Sequence, residues 1–182
     1  RAALAGQALP GDAALRARVG LVSHQSLLYV ALTARENVEF AARLYGVRDP
    51  AAATTAALAR MRVLDRANSP VRSLSRGLQQ RVSIARATVH APDVVLLDEP
   101  YTGLDEAGAG ALSALLAELL AGGASLVLVT HNLAEGLALA TSAAVMRAGR
   151  LVRHERRDAL EPTAYAAAYR ELVTGGDMAV AR

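Results

Sequence analysis

The sequence predicts an α/β fold with a mostly parallel sheet and an inserted helical subdomain. Three observations lead to this fold class. Short apolar runs recur along the chain, and segments with helical periodicity separate them, as in proteins that alternate strands and helices. The span 27–72 breaks this alternation, because it contains helical patterns only. We therefore expect this span to be inserted between two pieces of one α/β core.

Three apolar runs, at residues 19–23, 94–97 and 126–129, are the predicted strands of the core. Continuous apolar runs of this length are typical of strands that are buried on both faces of a parallel sheet. His24 and Gln25 come directly after the first run. We expect polar residues that follow parallel strands to meet at the sheet edge where ligands of α/β proteins bind.

Helical patterns fill the stretches between the predicted strands. The helix over 32–45 begins with Thr33 and Glu36, which fit a capping box. Pro50 suits the first turn of a second helix over 50–64. A third helix, ended by two glycines, is predicted from leucines at helical spacing: Leu112, Leu115, Leu116, Leu119 and Leu120. The remaining predicted elements are helices over 75–90 and 133–140, a hairpin of 143–146 and 150–152 around Gly149, and a helical tail over 161–173.

Composition narrows the class of protein. The chain has 182 residues, which is about one domain by the usual prior. It contains no cysteine, so disulfides and thiolate metal sites are excluded. A net charge of +3 is too small to indicate nucleic-acid binding by itself, and we expect no nucleic-acid partner. Neither a membrane-spanning run nor a signal peptide is recognisable, so we expect a cytoplasmic location.

The stretch 74–105 combines several chemical features within a short length of chain. Ser75 and Gly77 can open a helix, and a helix start binds anions through free backbone N–H groups. Asp98 and Glu99 end the second apolar run, at the place where an open α/β sheet binds ligands. Asp105 follows in a turn. An anion site, a metal-binding carboxylate and an adjacent basic carboxylate together indicate a nucleotide hydrolase.

This stretch resembles a known family. Leu-Ser-Arg-Gly-Leu-Gln-Gln-Arg, then Asp-Val-Val-Leu-Leu-Asp-Glu-Pro and Thr-Gly-Leu-Asp, are similar to the signature motif, Walker B strand and D-loop of ABC ATPases. The resemblance, which runs from about residue 19 to 152, implies a P-loop NTPase (RecA-like) core that binds ATP and Mg²⁺. The expected domains are a core remnant over 1–26, a helical subdomain over 27–73, the remaining core over 74–160 and a helical tail over 161–182.

The resemblance implies roles for three residues at strand ends. Asp98 matches the aspartate that holds Mg²⁺, and Glu99 matches the catalytic glutamate that polarises the attacking water. His131 matches the switch histidine that contacts the γ-phosphate. The alternatives are an exposed acidic turn for the two carboxylates and a strand-end histidine bonded to backbone. The motif on both sides of the Asp-Glu pair favours the functional interpretation for all three.

Four further residues take roles from the same resemblance. Gln25 matches the Q-loop glutamine, which reaches Mg²⁺ and water; His24 beside it is interpreted as structural. Ser75 and Gly77 match the signature residues that close over ATP held by an opposite subunit, although an ordinary helix cap is the alternative for Ser75. Asp105 matches the D-loop aspartate at the subunit interface; a helix N-cap before Glu106 is the alternative, and the two roles are compatible. Arg76 and Leu78 depart from the common pattern Leu-Ser-Gly-Gly-Gln.

One family element has no match. All 20 basic residues are arginine, so the lysine of a P-loop, Gly-x-x-x-x-Gly-Lys-Ser/Thr, is not in this chain. Either the P-loop lies in a part of a longer protein that precedes Arg1, or this is an ATPase without a P-loop. Because the other motifs look intact, we expect the first: the N-terminal part of the core is missing, and these 182 residues alone are inactive.

The segment that follows Gln25 is similar to ATPases of exporters, and most similar to those that serve haem export for cytochrome c maturation. Drug and polysaccharide exporters share much of this pattern, and non-transport relatives are a further alternative. The transporter interpretation implies a second ATPase subunit, forming a homodimer, and an integral membrane partner seated beside Gln25. We expect the protein to lie on the cytoplasmic side of the cell membrane, as a peripheral subunit.

Overall fold

The computed structural model describes residues 3–4, 6–8, 11–156, 165–167 and 169. They fall into two compact units that divide after Val129. The elements in chain order are β1 (Ala3–Leu4), β2 (Gln7–Ala8), α1 (Ala13–Arg16), β3 (Val19–Val22), α2 (Ala34–Leu44), α3 (Pro50–Arg60), α4 (Arg76–Thr88), β4 (Val94–Asp98), α5 (Glu106–Ala121), β5 (Ser125–Val129), α6 (Leu133–Leu139), β6 (Ser142–Arg147) and β7 (Arg150–Arg156). Within the described ranges, no helix has the length and apolar character needed to cross a membrane.

The centre of the first unit is a parallel sheet in the order β3-β4-β5. Val22 lies opposite Leu97, and Asp98 lies opposite Val129, so the three strands end at one edge of the sheet. The predicted α/β fold with a parallel sheet and intervening helices is confirmed. The predicted strand positions are also confirmed to within one residue.

One face of the sheet packs against helices. Val22, Val95 and Leu97 are buried on this side, together with Leu112 and Leu116 of α5. A Cβ at Gly20 would lie 2.6 Å from the carbonyl oxygen of Ala87 in α4, so strand and helix backbones approach closely only because Gly20 has no side chain. The packed face therefore fixes α4 and α5 relative to the strands.

The opposite face of the sheet contradicts a prediction. Strands buried on both faces were expected, but Leu21 is 46% exposed, Val127 53% and Val129 58%. No residue of β5 is buried, and the described residues of the first unit place no helical layer over this face. The apolar runs therefore have the composition of doubly buried strands, while the described residues of the first unit cover only one face.

The helical region consists of α2 and α3, which pack against each other and against α4. The capping box is confirmed: Glu36 N–H donates to Thr33 Oγ1 at 3.1 Å, and Thr33 N–H donates to Glu36 Oε2 at 2.7 Å. The predicted helix over 50–64 ends earlier, at Arg60, because Arg62 adopts a left-handed conformation with φ 53°. Short 3₁₀ turns follow at Leu64–Arg66 and Val71–Ser73.

The second unit contains α6 and a hairpin of β6 and β7. Both were predicted, and the strands pair antiparallel with an irregularity between Val145 and Met146. The hairpin turn uses positive φ at Ala148 and Gly149, as a two-residue connection requires. Most of the helical tail predicted over 161–173 lies outside the described residues.

Candidate functional site

Asp98 and Glu99 lie where the central strand of the sheet ends. Asp98 is the last residue of β4, and the ladder extends by one bond, since Glu99 N–H donates to the carbonyl oxygen of Val129 at 2.9 Å. Both residues are half-buried. Two carboxylates thus stand side by side at the edge where parallel α/β sheets bind their ligands.

The backbone of Glu99 is strained. Its φ is 49°, in the left-handed region, which costs a residue with a Cβ roughly 1–2 kcal/mol. A tight turn follows, in which Thr102 N–H donates to the carbonyl oxygen of Glu99 at 3.1 Å. Strain of this kind persists where the surroundings hold it in place, and it is common at functional sites. The left-handed turn redirects the chain immediately after the strand, and so sets the orientation of the Glu99 side chain.

His24 contacts Asp98, which sequence reasoning missed. Its Nδ1 lies 3.4 Å from Asp98 Oδ2, and both side chains are substantially exposed, so the pair contributes little to stability. Seventy-four residues separate the two positions. The signal that could have revealed this contact was the predicted parallel pairing of the two strands. Such pairing brings residues that follow β3 beside the end of β4. His24 therefore belongs to the site edge and not only to the supporting structure.

Gln25 lies beside this contact, three residues beyond the end of β3. Its N–H donates to Ser23 Oγ at 3.3 Å, and the residue is exposed. The next residue is fixed from α4, because Ser83 Oγ donates to the carbonyl oxygen of Ser26 at 2.8 Å. Gln25 thus lies on the strand-end side of the sheet, and its part in binding Mg²⁺ stays a prediction.

Asn37 is a second residue that sequence reasoning missed. It is fully buried, accepts from Tyr29 N–H at 2.8 Å and donates to the carbonyl oxygens of Tyr29 at 3.0 Å and Thr33 at 2.9 Å. One amide side chain therefore satisfies both backbone groups of Tyr29. This arrangement holds the loop after Gln25 against α2. An asparagine one residue after the capping-box glutamate was the only sequence signal.

α4 begins directly after Ser75, its N-cap residue, within one residue of the predicted start. Ser75 Oγ accepts from Leu78 N–H at 3.3 Å and caps the helix, so the ordinary capping role considered for this serine is present. Ser75 is exposed, and the first turn carries no acidic residue. An exposed helix start with free N–H groups and a nearby Arg76 favours an anion.

Gly77 has a close neighbour in its own chain. A Cβ at this position would lie 2.6 Å from the carbonyl oxygen of Gly103, so glycine allows α4 to touch the turn that follows Glu99. Gly103 itself has φ 80°, which glycine adopts readily. The prediction that Gly77 approaches a nucleotide held by another subunit is untested, and the structure adds this intramolecular contact.

Asp105 caps α5 and binds a buried arginine. Its Oδ1 accepts from Gly108 N–H at 2.9 Å and forms an ion pair with Arg81 Nη2. The Gly108 N–H, and then Arg81, lower the pKa of the Asp105 carboxyl. Arg81 lies at the end of the signature-like pattern, and sequence reasoning gave it no role. Asp105 is thereby tied to α4 in the same chain.

His131 belongs to the second unit. In that unit, Asn132 N–H donates to Thr130 Oγ1 at 3.0 Å, which shapes the turn that leads into α6. The role of His131 as a switch histidine stays a prediction.

The donor set at the sheet edge fits Mg²⁺ bound together with phosphates. Within the described residues there is no cluster of three or more His, Asp or Glu side chains that could enclose a metal. Mg²⁺ at nucleotide sites takes one or two carboxylates and otherwise keeps waters and phosphate oxygens. Asp98, at the open end of β4, is a donor of this kind. The residues present therefore fit a metal that arrives with a nucleotide.

The chain is similar to known proteins both in sequence and in structure. The sequence profile of the family described as "ABC transporter" matches residues 3–102. A solved structure titled "Structure of ATP binding subunit of ABC transporter" has a TM-score of 0.73 and 29% identity, and the match covers 79% of this chain and 61% of that one.

Several curated proteins are similar in sequence. "Cytochrome c biogenesis ATP-binding export protein CcmA 2" of Cupriavidus metallidurans is 41% identical over 137 residues, covering 73% of this chain and 65% of that protein. "Nod factor export ATP-binding protein I" of Ralstonia nicotianae is 34% identical, with 82% and 47% covered. "Taurine import ATP-binding protein TauB" of Mesorhizobium japonicum is 40% identical, with 73% and 54% covered. The chain thus spans about half to two thirds of the length of these three relatives.

Proposed function

The chain belongs to the ABC transporter family of ATP-binding domains, and on that premise we propose that the complete protein is the ATP-hydrolysing motor subunit of an ABC transporter. One observation carries the proposal. Asp98 and Glu99 follow each other at the end of the central parallel strand, and a strained turn leads from them to Asp105. A metal-binding carboxylate beside a basic carboxylate is suited to a water attack on a phosphate.

In this proposal each residue has a defined task. Asp98 and Gln25 hold Mg²⁺, which when bound neutralises charge on the nucleotide phosphates. The carboxylate of Glu99 accepts a hydrogen bond from the attacking water and orients it. His131 contacts the γ-phosphate and keeps the water and phosphate in line. These residues position and polarise the attacking water and the γ-phosphate. The bond that breaks belongs to ATP.

The signature residues serve a second nucleotide. Ser75 and Gly77 lie at the N-terminus of α4, where Ser75 is exposed, and the N–H groups of this helix start attract negative charge. We propose that they close over the γ-phosphate of ATP held by another copy of the protein. A homodimer then has two composite sites, with Asp105 at the interface between the subunits.

We propose that the segment of the complete protein that carries the P-loop docks on the uncovered face of the sheet. Leu21, Leu96 and Val127 are large apolar side chains exposed there, and among the described residues β5 pairs only with β4. A parallel strand beside β5, followed by a helix across this face, would bury these side chains. A P-loop between that strand and helix would then lie at the same edge as Asp98.

A membrane subunit is proposed to bind the helical region near Gln25. Tyr29 is 57% exposed, Phe40 48% and Leu44 69%, and the rings of Tyr29 and Phe40 meet edge to face at 5.6 Å. Exposed apolar groups of this size at one place mark interaction surfaces. We propose that a helix of the membrane partner covers them, which places the protein at the cytoplasmic side of the membrane.

The cargo is proposed to be haem, exported for cytochrome c maturation. The identity of 41% with the cytochrome c biogenesis relative supports this choice, while relatives named for Nod factor, daunorubicin, Fe(3+) and taurine point to other cargoes. The test is deletion of the gene in its host, followed by haem staining of c-type cytochromes. We expect the stained bands to be lost. Unchanged bands would show that haem is not the cargo.

The motor function is tested on the complete protein. We expect Mg²⁺-dependent ATP hydrolysis that Glu99→Gln nearly abolishes while ATP binding persists. Glu118→Gln is the matched control, because Glu118 lies near the distal end of α5 and should leave turnover unchanged. The 182-residue chain alone is expected neither to bind ATP tightly nor to hydrolyse it. Wild-type turnover that survives Glu99→Gln would contradict the proposal.

A further inference from the structure

Arg81 is a buried cation that joins two parts of the first unit. Its side chain is only 8% exposed. Nη1 donates to the carbonyl oxygen of Arg62 at 3.2 Å, and Nη2 pairs with Asp105 Oδ1. A buried guanidinium is costly unless its donors are satisfied, so these two contacts define where Arg81 can lie.

Both partners of Arg81 are at helix ends. Arg62 follows the end of α3 and has φ 53°. Its N–H donates to the carbonyl oxygen of Ala59 at 2.9 Å. Asp105 caps the start of α5. A cation is favourable near a helix C-terminus, and a carboxylate is favourable near an N-terminus. One guanidinium therefore connects the end of α3 in the helical region with the start of α5 in the core.

The space around this guanidinium is shaped for it. A Cβ at Gly108 would lie 2.7 Å from Arg81 Nε and 3.0 Å from Asp105 Oδ1. Glycine at this position of α5 thus admits the ion pair, although glycine weakens a helix. The three atoms nearest to this added Cβ all belong to Arg81 and Asp105, so the ion pair accounts for the glycine in the helix.

Two more contacts join α4 to the same turn. Gln80 Nε2 donates to the carbonyl oxygen of Pro100 at 3.1 Å, and Gly77 lies against Gly103. Together with the Arg81–Asp105 ion pair, these contacts join α4 to residues 100, 103 and 105. All three lie in the turn that follows Glu99. The first turn of α4 carries the proposed trans phosphate contacts. The same helix therefore borders both the phosphate-binding end and the turn that orients the catalytic carboxylate.

We propose that Arg81 is a positioning residue that transmits movement of the helical region to the catalytic turn. When the start of α4 and the end of α3 shift on nucleotide capture, Arg81 carries the shift to Asp105, and so to residues 99–105. The inference rests on the proposed ATPase function. It requires the forked geometry of arginine, because a lysine ammonium cannot keep the same two planar contacts.

The first experiment measures kcat and KM for ATP in the complete protein. We expect Arg81→Lys to lower kcat about tenfold to a hundredfold with little change in KM, since small misplacements of catalytic groups cost that much. Asp105→Asn should lower kcat similarly, and the double variant should be no worse than either single variant. Arg66→Lys, at an exposed ion pair with Asp65, is the control and should leave kcat unchanged. Thermal unfolding of each variant separates a loss of fold from a loss of positioning.

A second measurement does not depend on ATP hydrolysis. Hydrogen–deuterium exchange of the 182-residue chain should be faster over residues 100–108 in Arg81→Lys than in the wild type, with α5 beyond Glu118 unchanged. Unchanged exchange over 100–108, or a folded Arg81→Lys protein with wild-type kcat, would overturn the role of Arg81. If the wild-type complete protein does not hydrolyse ATP, the proposed function fails, while the exchange experiment still tests the link.

Discussion

Gly77 and Gly103 are in backbone contact: a Cβ on the first would stand 2.6 Å from the carbonyl oxygen of the second. The start of α4 thus rests on the turn that follows the site carboxylates. Because the blocking atom belongs to the backbone, a side chain at Gly77 can be accommodated only if the helix or the turn moves.

Gly77→Ala is therefore expected to destabilise the chain by about 1–3 kcal/mol, the usual cost of overpacking, despite the better helix propensity of alanine. Urea denaturation measures the change. Gly110→Ala is the matched control: Gly110 lies in α5 with nothing within 4 Å of its added Cβ. That variant should gain up to about 1 kcal/mol. Equal effects of the two substitutions would show that the close contact has no energetic consequence.

Asn37→Ala is expected to cost about 1–3 kcal/mol, because it removes the three hydrogen bonds of a fully buried amide and leaves the Tyr29 N–H without its acceptor. Thr54→Val is its counterpart. Thr54 is also fully buried, but its Oγ1 has no hydrogen-bond partner among the described residues. Its replacement should be neutral or stabilising. Chemical denaturation of both variants checks the contrast, and a smaller loss in Asn37→Ala than in Thr54→Val would refute it.

His90 is expected to make stability depend on pH. Burial, opposed by a backbone contact with Val19 and reinforced by the charge of Arg86, lowers its pKa below the ordinary 6.5. The unfolded state then binds a proton at higher pH than the folded state does. Stability is therefore full above about pH 7.5 and declines as pH falls through 6.5 toward the folded pKa.

Unfolding measured at pH 7.5 and pH 5.5 checks this expectation. His90→Phe can keep the stacking on Tyr45, whose ring lies 3.8 Å from that of His90, but it cannot bind a proton. The variant should lose less stability than the wild type between the two pH values. Identical losses in both proteins would mean that His90 titrates alike in the folded and unfolded states.

Glu99→Gly should separate stability from activity. Glycine relieves the left-handed strain at φ 49°, so we expect the variant to be more stable by about 0.5–1 kcal/mol. Glu99→Gln keeps a Cβ in the same conformation and should show no such gain. Denaturation of the chain measures both variants, and in the complete protein both should lose ATP turnover. A glycine variant that is less stable than the glutamine variant would argue that the surroundings do not hold Glu99 under strain.

Much of the fold could be predicted because local patterns determine it. The parallel strands, the capping box at Thr33 and the helix start at Ser75 all depend on residues that lie close together in sequence. The uncovered sheet face could not be predicted, since Val127 and Leu96 belong to runs whose composition is the same whether one face or two are covered.

The missed site residues have a common physical cause. His24 meets Asp98 across 74 residues and Arg81 meets Asp105 across 24, so neither contact has a local signature. The early end of α3 depends on a positive φ at Arg62, which sequence alone does not favour for arginine. Long-range placement and backbone strain are thus the parts that needed the structure.

The uncovered side of the β3–β5 sheet has a consequence for handling the chain. Among the described residues β5 is paired on one side only, and it contains the exposed Val127 and Val129. Such an edge is a template on which other chains can add. Valine-rich segments of low charge, such as 125–129, are also prone to stack into cross-β aggregates. These 182 residues without a covering partner are therefore expected to aggregate increasingly as the protein concentration rises, and a charged substitution at Val127 should lower the aggregated fraction.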